Sequence, residues 1–367
     1  MYDYLIVGAG FFGAVFAHQA SNDGKKCLVI DKRAHIGGNC HTKNIENINV
    51  HLYGPHIFHT NSDKIWNFVN RFAEFRQFVY SPVANFKDEL YSLPFNMWTF
   101  HQLWGVKTPA EAQKKIQETR VFSKNPKNLE EYALSVLGSD VYNKLIYGYT
   151  KKQWMREPKD LPAFIIKRLP FRLTYDARYY KDKYCGIPVG GYTAIFDKLL
   201  KNSDVTCGVD YFADRDHWNR KAKKIVYTGM IDEFFDYKHG ELEYRTLKFD
   251  HKVLDTDNHQ GVPVINWTSD EIPWSRSIEH KHFEKSNSEK TVLTHETPDK
   301  WSREKIPYYP INDSVNNKRY SLYNSEKSKH PNFIFGGRLA SYKYYDMDQV
   351  IASALTTYDK QSREKNE

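Results

Sequence analysis

Tyr4-Leu5-Ile6-Val7-Gly8-Ala9-Gly10-Phe11-Phe12-Gly13-Ala14-Val15-Phe16-Ala17, followed by Lys26-Cys27-Leu28-Val29-Ile30-Asp31, decides the fold. The first apolar run reads as a buried strand, the glycines as a turn, and the next apolar stretch as a helix. The second run reads as another strand and ends on an acid. Gly8 allows the tight turn, Gly10 lets the backbone approach a pyrophosphate, and Gly13 lets the helix lie close on the strand. The first amides of the helix face the anion, and Asp31, about twenty residues on, accepts ribose hydroxyls. An acid at that place argues against a 2′-phosphate. A bare G-x-G-x-x-G is weak. Strand, helix, second strand and terminal acid in register predict an α/β, Rossmann-like dinucleotide-binding unit.

Moving outward, Lys32-Arg33-Ala34-His35-Ile36-Gly37-Gly38-Asn39 sets a glycine pair just beyond the second strand. A β-turn alone would account for it, but the run also resembles the glycine-rich extension of FAD-dependent oxidases and mutases. Tyr53-Gly54-Pro55-His56-Ile57-Phe58-His59-Thr60 holds two histidines three residues apart. No further ligand cluster accompanies them, so a metal site is not expected and a structural role stays open for either. Residues 97–160 read as helical, with starts at Pro109 and at the cap-like Asn128, and a restart at Gly138-Ser139-Asp140. Residues 237–312 read as strand-rich, most plainly at Val262–Trp267 and Lys290–Thr294. Phe333-Ile334-Phe335-Gly336-Gly337-Arg338 is a strand ending in a turn, and a helix follows over Gln349–Leu355. A nucleotide-binding start and a strand-turn-helix finish imply one discontinuous domain fed by both ends of the chain.

Bulk composition narrows the class. The 367 residues are 40% apolar and 27% charged, as in ordinary globular proteins. No run approaches the roughly 18–20 uncharged apolar residues of a membrane span, and the first residues read as a strand, not a signal peptide. No membrane association and a cytoplasmic location are the expectations. Cys27, Cys40, Cys185 and Cys207 are scattered and suggest neither a zinc site nor a disulfide framework. The net charge of +8 is dispersed, with no dense basic run of the kind that marks nucleic-acid binding. A small acidic ligand such as a diphosphate suits it. Tyrosines cluster at Tyr179-Tyr180, Tyr308-Tyr309 and Tyr342-Lys343-Tyr344-Tyr345, near glycine and arginine, where hydroxyls can line a site.

Six longer runs then become specific. They are Gly54–Thr60, Gly148-Tyr149-Thr150-Lys151-Lys152-Gln153-Trp154, Leu161–Arg168, Gly186–Thr193, Glu243–Phe249, and Gly336–Ala340 with Tyr342–Met347. In order and over nearly the whole chain, they resemble bacterial UDP-galactopyranose mutase, of the flavin-dependent UDP-sugar mutase family. The resemblance implies an FAD domain over 1–75, 186–236 and 330–367 and a helical bundle over 97–163. It implies an antiparallel sheet for substrate over 76–96, 164–185 and 237–329. Homodimers, a role in galactofuranose and cell-surface polysaccharide synthesis, and an external reductant for the flavin come with it.

The implied reaction interconverts UDP-galactopyranose and UDP-galactofuranose, the N-acetylgalactosamine analogue being left open. Reduced FAD acts through N5 as nucleophile toward the anomeric carbon, forming a sugar adduct while UDP departs. By position, Arg168 and Arg276 match the family's phosphate-binding arginines, and arginine suits a diphosphate because its fork of donors stays charged. Tyr179, Tyr309 and Tyr344 match tyrosines around the phosphates, Tyr149 and Asn266 the nucleotide side, and Trp154 the sugar. Asp346 and Arg338 match residues beside flavin and substrate, and His56 a flavin-side histidine counted with the catalytic set. Gly8, Gly10, Phe12, Gly13, Asp31, Lys32, Gly38, Asn39, His56, Arg338 and Met347 are the expected cofactor contacts. Arg172 is expected to be structural. Arg168 lies in a segment that the resemblance implies is a mobile lid, closing to exclude water. The competing readings are an amine-oxidase-like FAD oxidoreductase sharing the same start, and a flavin- or nucleotide-binding protein without catalysis.

Overall fold

In the computed structural model, residues 1–167 and 169–363 are described; Arg168 lies outside the described residues. The fingerprint folds as a five-stranded parallel sheet in the order Asp204–Cys207, Cys27–Asp31, Tyr2–Val7, Ala222–Tyr227, Phe333–Phe335. Val7 pairs with Ile30 on one side and Tyr227 on the other, and Tyr227 in turn pairs with Phe335. Strands near both ends of the chain thus stand in one sheet. Its three central strands are apolar on both faces because both are covered, while the edge strand Asp204–Cys207 stays largely exposed. Tyr4 and Ile6 face the helices Phe11–Asn22 and Met347–Arg363, where Phe16 meets Tyr358 edge-on at 5.2 Å. Leu5, one residue out of phase, faces the opposite cluster with Tyr227, Phe234 and Tyr323.

A second, seven-stranded sheet runs Tyr309–Pro310, Tyr244–Leu254, Thr291–Asp299, Arg276–Glu279, Val264–Trp267, Val83–Phe86, Glu89–Ser92. It is antiparallel except where Val264–Trp267 runs parallel to Val83–Phe86. That pairing brings in a hairpin distant in sequence, so no tight turn dictates its direction.

The helical part is set by its caps. Asn96 caps Met97–Trp104, and Thr108 with Glu111 forms a capping box at Pro109–Thr119. Asn128 accepts from the Glu131 amide at the start of Leu129–Leu137. A π-helical turn over Tyr142–Tyr147 then leads into the helix Gly148–Trp154. At Gly148 a Cβ would lie 2.3 Å from the Thr268 carbonyl oxygen, so only glycine lets this helix sit so close to the sheet. The short helix Phe164–Lys167 packs Ile166 among the buried side chains of this helical group. No helix among the described residues is long and apolar enough to cross a membrane.

Candidate active site

Two adjoining cavities lie where these parts meet. One, of about 480 Å³, opens at the C-terminal ends of the parallel strands. Gly8, Gly10, Phe12, Gly13, Asp31, Lys32, Gly38, Asn39, His56, Arg338 and Met347 all border it. Its floor is backbone. A Cβ on Gly13 would fall 2.0 Å from the Gly8 carbonyl oxygen, and one on Gly38 would fall 3.2 Å from the Gly10 Cα. The Gly37 amide donates to the Ala9 carbonyl, folding the glycine pair back over the fingerprint. Gly10 caps the first helix with no side chain in the way, so its first amides stay open to an anion. Asp31 accepts from the Ala9 and Arg33 amides, which fixes its carboxylate at the end of its strand. A narrow backbone cradle, an open helix N-terminus and a fixed terminal acid fit a dinucleotide.

The other cavity, of about 660 Å³, is walled by side chains. Tyr149, Trp154, Tyr179, Asn266, Arg276, Tyr309, Tyr344 and Asp346 all border it. Strand register explains much of this gathering. Asn266 stands opposite Arg276, and Arg276 opposite Glu296, so three side chains on neighbouring strands share one face. Glu296 is wholly buried and accepts twice from Arg276, at 3.0 Å from Nε and 2.5 Å from Nη2. Burial opposes the Arg276 charge, but Glu296 and the tyrosines outweigh it and hold its pKa above the ordinary value. Burial keeps Tyr149 and Tyr309 well above the usual phenol range, so both remain donors.

The helix Gly148–Trp154 carries Tyr149 and Trp154 and is pinned at its C-terminal end by two basic side chains. Lys152 donates to the carbonyls of Trp267, Ile272 and Trp274, tying the helix to the loop that leads into Arg276. Arg245 donates to the carbonyls of Gln153 and Trp154 at the helix end. Burial depresses the Arg245 pKa to about 10, with Arg156 adding to the effect. Arg172 borders the cleft too, but its donors go to the carbonyls of Asp176, Arg178 and Tyr179, shaping the turn that presents Tyr179.

The cavities share a wall. Arg338 borders the dinucleotide side and donates to the carbonyls of Tyr308 and Tyr345. Its guanidinium lies over Tyr309 and Tyr344, which stack 5.2 Å apart on the cleft side. His56 borders the dinucleotide cavity while its neighbours Pro55 and Ile57 border the cleft. Its Nδ1–H donates to the Gly54 carbonyl, which leaves Nε2 as an acceptor. His59 also borders the cleft, where its ring stacks on Tyr180 at 3.8 Å and Nδ1–H donates to Asp182 at 2.6 Å. Behind this wall the His56 amide donates to His51 Nδ1, the His51 amide to His280 Nδ1, and His280 Nε2–H to Thr294. Burial lowers the pKa of His51 to about 3, that of His56 to about 4, and that of His280 well below 6.5. No cluster of metal-ligating side chains occurs among the described residues.

Glu296, Arg245, Lys152, Gln153 and Tyr80 escaped sequence reasoning. A lone Glu or Arg on a strand carries no signal until its register is known. On the dinucleotide side, Val209–Phe212, Thr228–Met230, Glu233 and Arg303–Pro307 were also missed, because only the fold brings these separated segments to one cavity; Tyr308 lay in a tyrosine cluster already noted.

A family model described as UDP-galactopyranose mutase matches residues 144–344, and one for an NAD(P)-binding Rossmann-like domain matches residues 6–72. The chain is 39% identical over 361 residues to dTDP-fucopyranose mutase of Escherichia coli, covering 96% of each protein. It is 38% identical over 366 residues to a probable UDP-galactopyranose mutase of Klebsiella pneumoniae, covering 97% of this chain and 93% of that one. The crystal structure of a reduced UDP-galactopyranose mutase aligns with a TM-score of 0.76 at 13% identity, covering 100% of this chain and 95% of the other. At that identity the likeness shows the fold alone.

Proposed function

We propose that this chain, which belongs to the UDP-galactopyranose mutase family, interconverts UDP-galactopyranose and UDP-galactofuranose with reduced FAD as cofactor. The observation that carries the reading is the Arg276–Glu296 pair, facing a tyrosine-walled cleft one residue layer from the dinucleotide cradle. When bound, reduced FAD supplies the nucleophile for covalent catalysis without net redox change.

The chain's own residues do the rest. Arg276, with Arg168, holds the diphosphate and offsets its charge as it leaves the sugar. Glu296 fixes the direction of the Arg276 fork. Tyr179, Tyr309 and Tyr344 donate to phosphate oxygens, Tyr149 and Asn266 line the nucleotide side, and Trp154 offers an apolar face to the sugar. Arg338 and Asp346 act at the shared wall, where the anomeric carbon must approach the cofactor. The segment around Arg168 closes over the occupied cleft and keeps water from the activated sugar. Gly8, Gly10, Gly13, Asp31 and Gly38 hold the cofactor, with Phe12, Lys32, Asn39, His56 and Met347 around it.

Relatives acting on two nucleotide sugars stand at nearly equal identity, so the choice between UDP-galactose and dTDP-fucose rests on the cleft. Asn266 Oδ1 and Gln153 Oε1 are buried without donors among the described residues, and unpaired acceptors favour the substrate with more hydroxyls. An oxidoreductase is not favoured, because the family match covers residues well beyond the dinucleotide unit. A cytoplasmic homodimer, an external reductant, and the division into three domains belong to the same proposal. The test is to incubate dithionite-reduced protein with UDP-galactofuranose and, in parallel, dTDP-fucofuranose, and to separate products by chromatography. Conversion of UDP-galactofuranose supports the reading. Conversion of dTDP-fucofuranose alone replaces the substrate, and conversion of neither overturns it.

A further inference from the structure

Glu233 borders the dinucleotide cavity beyond Asp31, alongside Val209–Phe212 and Met230. In this fold the terminal acid takes the ribose and the diphosphate lies at the helix N-terminus, so the cavity beyond Asp31 receives the adenine. The Glu233 side chain has no hydrogen bond or ion pair among the described residues. The charges around it are otherwise committed. Lys32 pairs with Asp210 at 2.8 Å, Arg303 pairs with Glu241, and Lys305 pairs with Asp299 at 2.8 Å. Asp232, beside it on the same short helix, accepts from the Leu242 amide and the Tyr244 hydroxyl. Tyr227 and Tyr237 also face it, both held protonated chiefly by burial, and Glu304 lies on the cavity's far wall.

We propose that Glu233 is a contact of the adenine ring, made as the neutral acid, so that binding the dinucleotide takes up a proton. Asn and Gln recognise adenine by giving one hydrogen bond to a ring nitrogen while accepting one from the 6-amino group. A protonated carboxyl carries the same donor and acceptor, whereas a carboxylate can only accept and sets its charge against the ring lone pair. The environment suits the neutral form. Burial pushes the Glu233 carboxyl up to about 7, Lys32 pulls it down, and Asp210 and Asp232 push it up further. Among the other wall residues His56 titrates near 4 and Cys40 near 12, so neither competes near neutrality. Covering Glu233 with a base desolvates it further, and bound protein holds the proton more tightly than free protein. Affinity therefore falls as pH rises above 7.

The inference rests on the flavin reading, and the experiment separates the two. Holoprotein is diluted at pH 6.0 to 8.5, and released FAD is followed by its fluorescence, giving Kd at each pH. For the natural chain Kd is expected to rise by up to ~tenfold per pH unit above 7. Glu233→Gln, which fixes the donor-acceptor pair, should bind tightly with a flat profile. At pH 6.5 the natural chain should favour FAD over flavin purine dinucleotide, which lacks the 6-amino donor, by ~tenfold or more, and Glu233→Ala should lose that preference. A flat profile in the natural chain, an unchanged slope in Glu233→Gln, or an unchanged preference in Glu233→Ala would each overturn the inference. Protein purified without flavin that fails to take it up would instead overturn the flavin reading.

Discussion

The dinucleotide cavity and the cleft beside it share a wall but are made of different material. The first is backbone: glycines brought within contact distance, an open helix end, and one acid held by two amides. The second is side chains, drawn from strands and helices scattered between Pro55 and Asp346 and aligned by sheet register. A backbone site fails when anything is added to it, because neighbouring main chain cannot move aside. A side-chain site fails when something is removed, and the failure stays local as long as buried charges remain compensated.

The sharpest way to break this contrast is Gly13→Ala. The new Cβ meets the Gly8 carbonyl oxygen at 2.0 Å, with no flexible group to give way. Protein without bound flavin and with a lowered Tm is expected, read from visible absorbance and thermal melting. Full flavin content at an unchanged Tm would refute the backbone account. Next comes Arg276→Ala, which should retain flavin yet lose turnover by roughly 10²–10³-fold. It should also lose about 3–5 kcal/mol of stability in urea titrations, since Glu296 is left buried and unpaired. Arg168→Ala should match the turnover loss with flavin retained; near-normal turnover would remove Arg168 from the phosphate site.

Acid probes the wall between the regions. His51, His56 and His280 have folded pKa values below the ordinary 6.5. Below pH 6.5 the unfolded chain therefore binds more protons than the folded one. Their contribution is complete above 6.5 and is lost as pH falls toward 4 and 3, by up to about 1.4 kcal/mol per unit for each ring. Denaturation at pH 7, 5 and 4 should show that decline, and equal stability at pH 7 and 5 would argue against neutral rings. The smallest effect is expected from Arg245→Met, which frees the carbonyls at the end of the helix bearing Trp154. KM should rise several-fold with kcat less affected; an unchanged KM would mean that Trp154 needs no such anchor.

The same contrast governs what could be read in advance. Gly8, Gly10, Gly13 and Asp31 carry a spacing whose meaning is local, because a strand-turn-helix within about thirty residues imposes its own geometry. Pro109 and the cap-like Asn128 likewise announced helix starts, and the structure adds the Thr108–Glu111 box at the first of them. Glu296 offered no such cue. It becomes the partner of Arg276 only because two strands pair in one register, and a slip of one residue would turn it to the other face. Lys152, within a recognised run, gave no hint that it would bind carbonyls of a loop more than a hundred residues away. Tyr149 and Trp154 were found by resemblance, not by any pattern of their own, whereas Tyr309 also stood in a tyrosine cluster.

Short-range order in the chain was enough to settle the nucleotide-binding fold, the helical insert and the strand-rich stretch, since turns, caps and apolar periodicity act between neighbours in sequence. Tertiary structure alone decided which guanidinium is neutralised from below, which phenols stay protonated, and that Glu233 stands without an ion pair among the described residues on the wall of the dinucleotide cavity. Those outcomes depend on burial and on distances between residues far apart in sequence, and both come into being only when the sheets close on each other.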